Sequence, residues 1–221
     1  IYCGTDVGLD LIDEKTGRKI INYITEKLHG IRIRGFLHDS HGNFWICTYG
    51  QGLYEISKDN HLKHYDTFSS LNGDKLRTAK ELKDGSILVA GNNGVNIIKN
   101  ERVVVGVGRE QGLNNTVVLT TLELSDGAIL AGTDGGGLAR IEDGKVVRTY
   151  DKKDGLSSEV IIRLIKDKEG EGIFVVTSNA LCYMSDEKGS NFRILDNFPY
   201  FDNYDIVQAD NGKLFVLSSA G

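Results

Sequence analysis

The stretch Leu130-Ala131-Gly132-Thr133-Asp134-Gly135-Gly136-Gly137-Leu138 decides the fold, because it has counterparts along the whole chain. With Thr133 as an anchor, matching segments recur at Thr5, Thr48, Gly91, Thr177 and Ser218, at spacings of 43, 43, 42, 44 and 41 residues. Three residues before these anchors stand Tyr2, Trp45, Leu88, Leu130, Phe174 and Phe215, apolar every time. Four or five residues after them come Leu9, Leu53, Val95, Leu138 and Leu181. Six residues before them come Gly42, Gly85, Gly127 and Gly212, and the fifth copy breaks this column with Glu171 between Gly170 and Gly172. About twenty residues before them come Leu28, Leu71, Leu113 and Leu156. Self-similarity at such a period is the signature of a repeat architecture.

Each copy reads as four short strands. In the fourth, Leu119–Ser125 is a strand, Asp126-Gly127 a two-residue hairpin turn and Ala128–Thr133 the second strand. The turn Asp134–Gly136 leads to Leu138–Glu142, and Asp143-Gly144 to Lys145–Tyr150. Asp151–Ser158 links to the next copy. No stretch sustains a helical period; the best local candidate, Thr16–Lys27, reads as loop and strand. Four strands in about 43 residues, repeated in tandem, predict an all-β chain, a β-propeller of four-stranded blades that stack to bury their apolar columns. Tyr2–Gly8 and Phe215–Gly221 occupy the same columns, so both ends supply the same strand. The expectation is one run of propeller repeats over residues 1–221, about five blades cut mid-blade at both ends from a larger array, with five-bladed closure as the alternative.

The 221 residues are 40% hydrophobic and 26% charged, a globular composition. Twenty-seven glycines against one proline suit many tight turns. A net charge of −5 gives no global attraction to nucleic acid or anionic lipid, and no apolar run approaches a membrane span. Cys3, Cys47 and Cys182 lack disulfide or zinc spacing; each falls in a strand and reads as a small buried residue.

The pattern of an apolar or aromatic residue, then Gly-Thr, then Asp-Gly-Gly-Gly-Leu, preceded by Asp-Gly and followed by Gly-Leu-Ser-Ser, resembles the two-component regulator propeller repeat. Ile129–Arg140, Phe44–Tyr54 and Asp154–Ile161 carry the resemblance best. Copies three and five depart from it, with Gly91-Asn92-Asn93-Gly94 and Thr177-Ser178-Asn179-Ala180. The resemblance implies a periplasmic or extracellular sensor region of a membrane-anchored bacterial receptor. Its ligand would be a small molecule or oligosaccharide, often carbohydrate-derived, and the output domain would lie outside this chain.

Ligands of propellers usually approach the face formed by the anchor turns and the inter-blade linkers. Those loops present Asp6, Tyr49, Gln51, Asn92, Asn93, Asp134 and Asn179, whose polar groups suit sugar or peptide recognition, although Asn and Asp also serve turn geometry. Fourteen residues before the anchors stand Arg34, Arg77, Leu119, Arg163 and Tyr204. Three arginines at equivalent points would form part of a ring able to hold a carboxylate or sulfate, unless each pairs with an acidic neighbour. The ligand-binding set is therefore Arg34, Tyr49, Arg77, Asn92, Asn93, Asp134, Arg163 and Tyr204. Trp45 falls in the apolar column and reads as inter-blade core, while Tyr49, Tyr200 and Tyr204 are candidates for exposed stacking.

Neither His38 with His41 nor His61 with His64 has a third ligand at zinc-like spacing, and no phosphate loop or nucleophile elbow occurs. No metal, cofactor or catalytic group is expected. The competing readings are a protein-interaction propeller, or a homodimer formed through the parent receptor, and a propeller-based lyase or glycosidase, which would need paired acids that the blades do not show.

Overall fold

Both faces of the second strand are apolar in the four middle repeats, at Phe44–Thr48, Ile87–Gly91, Ile129–Thr133 and Ile173–Thr177, and in the computed structural model both are covered. The structure describes residues 1–188, 191–195 and 203–218, without the side chains of Asn203, Tyr204 and Ser218. Among the described residues, four four-stranded sheets, one of three strands and one of two follow in chain order, here blades 1 to 6. Blade 1 is Tyr2–Thr5, Gly8–Ile12 and Lys19–Ile20; blade 2 is Ile33–His38, Phe44–Thr48, Leu53–Ile56 and Leu62–Tyr65. Blade 3 is Leu76–Glu81, Ile87–Gly91, Gly94–Lys99 and Arg102–Val107. Blade 4 is Val118–Glu123, Ile129–Thr133, Leu138–Glu142 and Lys145–Tyr150. Blade 5 is Ile161–Lys166, Ile173–Thr177, Leu181–Met184 and Phe192–Ile194; blade 6 is Asn203–Gln208 with Leu214–Ser218. Neighbouring strands within each blade are antiparallel wherever their register is given.

The chain divides into two compact units, Ile1–Gly106 and Val107–Gly221. In the first, Ile46 and Tyr54 join Leu9, Leu28 and Ile33 in one apolar layer, while Trp45, Cys47 and Leu53 join Leu71, Leu76 and Val89 in the next. Consecutive residues of one strand thus point to opposite layers, as the strand period requires. The second unit repeats the device, with Leu130, Leu138, Leu164 and Val175 in one layer and Phe174, Val176, Leu181 and Ile206 in the other. Each fully buried Leu or Ile contributes about 1.5–3 kcal/mol relative to exposure.

The anchor threonine has a structural task. Thr133 donates from Oγ1 to Gly137 O at 2.8 Å and accepts from Gly136 N at 2.9 Å, and Thr48 makes the corresponding bonds to Gly52 O and from Gln51 N. Both hydroxyls are buried, so each closes its own glycine turn. The linkers share a second device. Asp66 caps a single helical turn at Thr67–Ser69, Ser70 takes a positive φ, and Leu71 enters the core. Asp151, Lys152–Asp154, Gly155 and Leu156 do the same two repeats later, which explains the leucine column.

Three local readings are corrected. The hairpin at Asp126-Gly127 has a three-residue loop: Leu124 N bonds to Ala128 O, Gly127 N bonds to Leu124 O, and Gly127 takes φ +87°. Gly42, Gly85 and Gly212 close equivalent loops with φ between +79° and +87°. Within Thr16–Lys27 a strand at Lys19–Ile20 is followed by a helix, Tyr23–Lys27. Asn22 caps that helix through the backbone N–H groups of Ile24 and Thr25, a local signal that outweighed the missing periodicity. Cys47 and Cys182 are buried, but Cys3, in the first strand of blade 1, is exposed. Burial pushes the Cys47 thiol up to about 12.

Trp45 is core, as its column implied, and its indole N–H donates to the buried Asp39 carboxylate at 2.8 Å. Burial alone would raise the Asp39 pKa, but hydrogen bonds from Trp45, Asn43 and His41 hold it below the ordinary carboxylate value. Its stabilising contribution is therefore present above the unfolded carboxyl pKa, near about 3.9, and is lost as pH falls through the folded value. Asp39→Asn should flatten the loss of stability below about pH 4 in denaturant titrations. Glycine substitutions separate two costs. Gly137 has φ +78°, and a Cβ there would overlap the Tyr150 carbonyl, whereas Gly127 faces open space. Gly137→Ala should lower stability by about 2–3 kcal/mol and Gly127→Ala by about 1 kcal/mol, measured by urea unfolding.

Candidate functional site

The first strand of blades 2 and 3 begins with the same irregularity. Ile33 pairs with Thr48 and Gly35 with Cys47, leaving Arg34 unmatched. Leu76 pairs with Gly91 and Thr78 with Ala90, leaving Arg77 unmatched. Such a bulge bends the strand and re-aims the extra side chain out of the alternation. Blade 4 places Leu119 there and blade 6 Tyr204. In blade 5 the unmatched residue is Ile162, since Ile161 pairs with Thr177 and Arg163 with Val176.

Arg163 is therefore out of register with Arg34 and Arg77 by one residue. The following hairpin explains the slip: Asp167 N bonds to Gly172 O across a loop of residues 168–171, one residue longer than the loops closed by Gly42, Gly85 and Gly127. Counting back from the anchor passes through that loop and lands one residue too far along the first strand. Arg163 ion-pairs with Asp205 at 3.0 Å.

In the first unit, Arg34 and Arg77 meet around Tyr49. Tyr49 follows the anchor Thr48, its N–H bonds to Arg32 O, and it forms a lone bridge to Lys75 at the start of blade 3. Its half-buried ring has Arg34 at 5.3 Å, Arg32 and Lys75 at 5.5 Å and Arg77 at 5.9 Å from the ring centroid. Arg77 Nε donates to Asn92 Oδ1 at 3.1 Å, which leaves the Asn92 N–H₂ as the donor toward the Tyr49 hydroxyl. Arg32 Nε lies 2.5 Å from the carboxylate of Asp6, the residue of blade 1 equivalent to Tyr49. Among the described residues, no carboxylate is ion-paired with Arg34, Lys75 or Arg77. Arg148 and Arg163 each have one, and Arg140 has two. The side-chain hydrogen bond from Asn92, then the charges of Lys75, Arg77 and Arg34, hold the Tyr49 phenol below its ordinary pKa, against an opposing effect of burial.

Four of the expected residues, Arg34, Tyr49, Arg77 and Asn92, are thus together, with Asn93 exposed beside them in the Asn92-Asn93 turn. Asp134 lies in the second unit; it is exposed, and its carbonyl accepts from the Asn115 side chain. Tyr200 and the side chain of Tyr204 lie outside the described residues. Two members were missed, Arg32 and Lys75. Each stands two residues before a bulge arginine, sixteen before its anchor, and that column was legible. Among the described residues the second unit has no such cluster, because the positions matching Lys75 and Arg77 are Val117 and Leu119 in blade 4 and Val160 and Ile162 in blade 5. A separate cleft of about 460 Å³ is lined by Leu9, Lys19, Ile21, Thr25 and His29, and depends on the helix that the sequence pattern did not announce.

No family model and no curated protein matches the chain. Solved structures do. The extracellular domain described as that of a hybrid two-component system, BT3049 of B. thetaiotaomicron, superposes with a TM-score of 0.80 at 20% identity, over 97% of this chain and 30% of that one. The extracellular domain of a one-component system of the same organism, BT4673, gives 0.73 at 18% identity, over 98% and 30%. Virginiamycin B lyase from Staphylococcus aureus gives 0.69 at 15%, over 84% and 63%. The chain has a β-propeller fold. The chain spans about 30% of the length of those two extracellular domains. No helix among the described residues is long and apolar enough to cross a membrane.

Burial raises the phenol pKa of Tyr54, Tyr65, Tyr150 and Tyr183, whereas that of Tyr49 is lowered. In an alkaline titration followed by phenolate absorbance, Tyr49→Phe should delete amplitude from the early part of the curve and leave its late part unchanged.

Proposed function

We propose that this propeller is a ligand-sensing segment of the extracytoplasmic region of a membrane-anchored bacterial receptor, and that its ligand meets the Tyr49 face of the first unit. The observation that carries the reading is the convergence of Arg34, Lys75, Arg77, Tyr49 and Asn92 from two adjacent blades. The half-buried aromatic ring gives an apolar platform, and the surrounding N–H groups give directional donors, the combination that binding clefts use. The likeness to extracellular domains of two-component and one-component systems supports a sensing role. A small, polar, carbohydrate-derived ligand fits this open and strongly hydrogen-bonding surface better than an apolar one. The chain would sense and another part of the receptor would act, so no reaction is assigned to it.

A second reading has one specific observation behind it. Phe68 stands 97% exposed on the linker after blade 2, and such a residue suits a protein contact or a homodimer of the receptor. A thermal-shift panel of mono- and oligosaccharides distinguishes the two. Under the sensing reading, at least one raises Tm for the wild type, and Tyr49→Ala with Asn92→Ala removes the shift. Silence across the panel, with dimerisation that Phe68→Ser abolishes, would favour the interaction reading instead.

A further inference from the structure

The ring of cations around Tyr49 is electrically incomplete. Arg32, Arg34, Lys75 and Arg77 bring four positive charges to one aromatic ring, and Asp6 supplies the one ion-paired carboxylate among the described residues. This occurs in a chain of net charge −5, whose other strand cations commonly have an acidic partner, as at Lys99 with Asp84 or Lys166 with Glu187. Like charges held this close repel, and the cost is relieved when an anion enters.

The backbone keeps the charges in place. Arg34 and Arg77 are each the extra residue of a β-bulge, and Lys75 immediately precedes the first strand of blade 3 and bridges to Tyr49. Arg77 is further fixed by its Nε bond to Asn92, which aligns a planar fork for two-point contact. Resting on the sensing reading above, we propose that the ligand presents an oxyanion, a carboxylate or a sulfate, which Arg34, Lys75 and Arg77 hold at the edge of the Tyr49 ring. Tyr49 and the Asn92 amide then contact the part of the ligand that bears the group. Arg32 is held by Asp6 and acts as a positioning residue that sets the charge of the rim.

The test uses the whole chain, labelled with nitrogen-15, and follows the arginine Nε–H resonances. Sodium sulfate, sodium phosphate, sodium galacturonate and glucose are titrated separately, with sodium chloride at matched ionic strength as the control. The expected result is a saturable shift of the Arg34 and Arg77 resonances with at least one oxyanion, and none with glucose or chloride. The arms separate a sulfate from a carboxylate preference. Arg77→Gln should weaken that binding about tenfold, Arg77→Lys should restore part of it, and Arg163→Gln should leave it unchanged. A thermal melt of each variant confirms that it folds. Shifts that grow linearly with every salt, or that survive in Arg34→Gln/Arg77→Gln, overturn the inference. Should a neutral oligosaccharide bind equally well to wild type and to that double variant, the oxyanion falls and the sensing reading stands. Saturable oxyanion binding beside a silent neutral panel upholds the oxyanion and removes the neutral-sugar form of the reading.

Discussion

Everything in this fold hangs on how one blade's glycine turn grips the next blade. Gly50 and Gly52 N–H both donate to Asp74 O at 2.9 Å, and Gly135 and Gly137 N–H both donate to Glu159 O at 3.2 and 2.9 Å. Two amides on one carbonyl need a backbone that doubles back tightly, and φ values of +119° and +68°, or +98° and +78°, supply it. The anchor threonine then satisfies the interior of the turn through its buried hydroxyl. A sheet of four short strands is marginal alone, so the lateral bond and the apolar layers beneath it have to form together. This is why the Thr and Gly columns recur most fully in blades 2 and 4, where the joint takes this form.

The same joint makes a functional site economical. Because the turn is fixed by backbone bonds, the residue after the anchor is free in chemistry, and it stands where the next blade's first strand begins. Asp6, Tyr49 and Asn92 occupy that position in blades 1 to 3. The bulge that opens the first strand throws a further side chain toward it, Arg34 and then Arg77. Variation at these positions changes the binding surface without touching the layers of Ile, Leu and Val that hold the blades together. The second unit keeps the joint and puts Val117, Leu119, Val160 and Ile162 at the variable positions, which shows how separable scaffold and surface are.

Strand number, strand order and the apolar columns were legible because period two and a period near 43 are both properties of the chain itself. Trp45 belongs to the core for that reason, whereas its bond to Asp39 spans a hairpin loop that is one residue longer than its Gly-containing turn suggests. One extra residue also displaced Arg163. A hairpin loop can gain a residue at little energetic cost, yet the gain moves every residue on one side of it by one position in a counted column, and in a strand that reverses the face. The helix at Tyr23–Lys27 escaped because five residues are too few for a period, so its capping box was the one signal present.

The cluster at Tyr49 was half legible for a related reason. Arg34 and Arg77 were found by their column, but the column says nothing about which neighbours turn toward one another. Bulges in blades 2 and 3 bring the bulge arginines and the residues two before them, Arg32 and Lys75, onto the same ring. Spacing along one chain pairs Arg32 with Arg34 and Lys75 with Arg77, yet it is silent on the residue of the neighbouring blade that the two pairs share. Only the lateral pairing of Tyr49 with Lys75 supplies it. The physical consequence is a site whose charge is tolerated, since the guanidinium and ammonium groups lie near an aromatic ring and reach solvent, where repulsion between them is screened over about 10 Å. Exposure thus lowers the cost of holding the cations together, and the rigid joint beneath them keeps that cost from being relieved by moving apart.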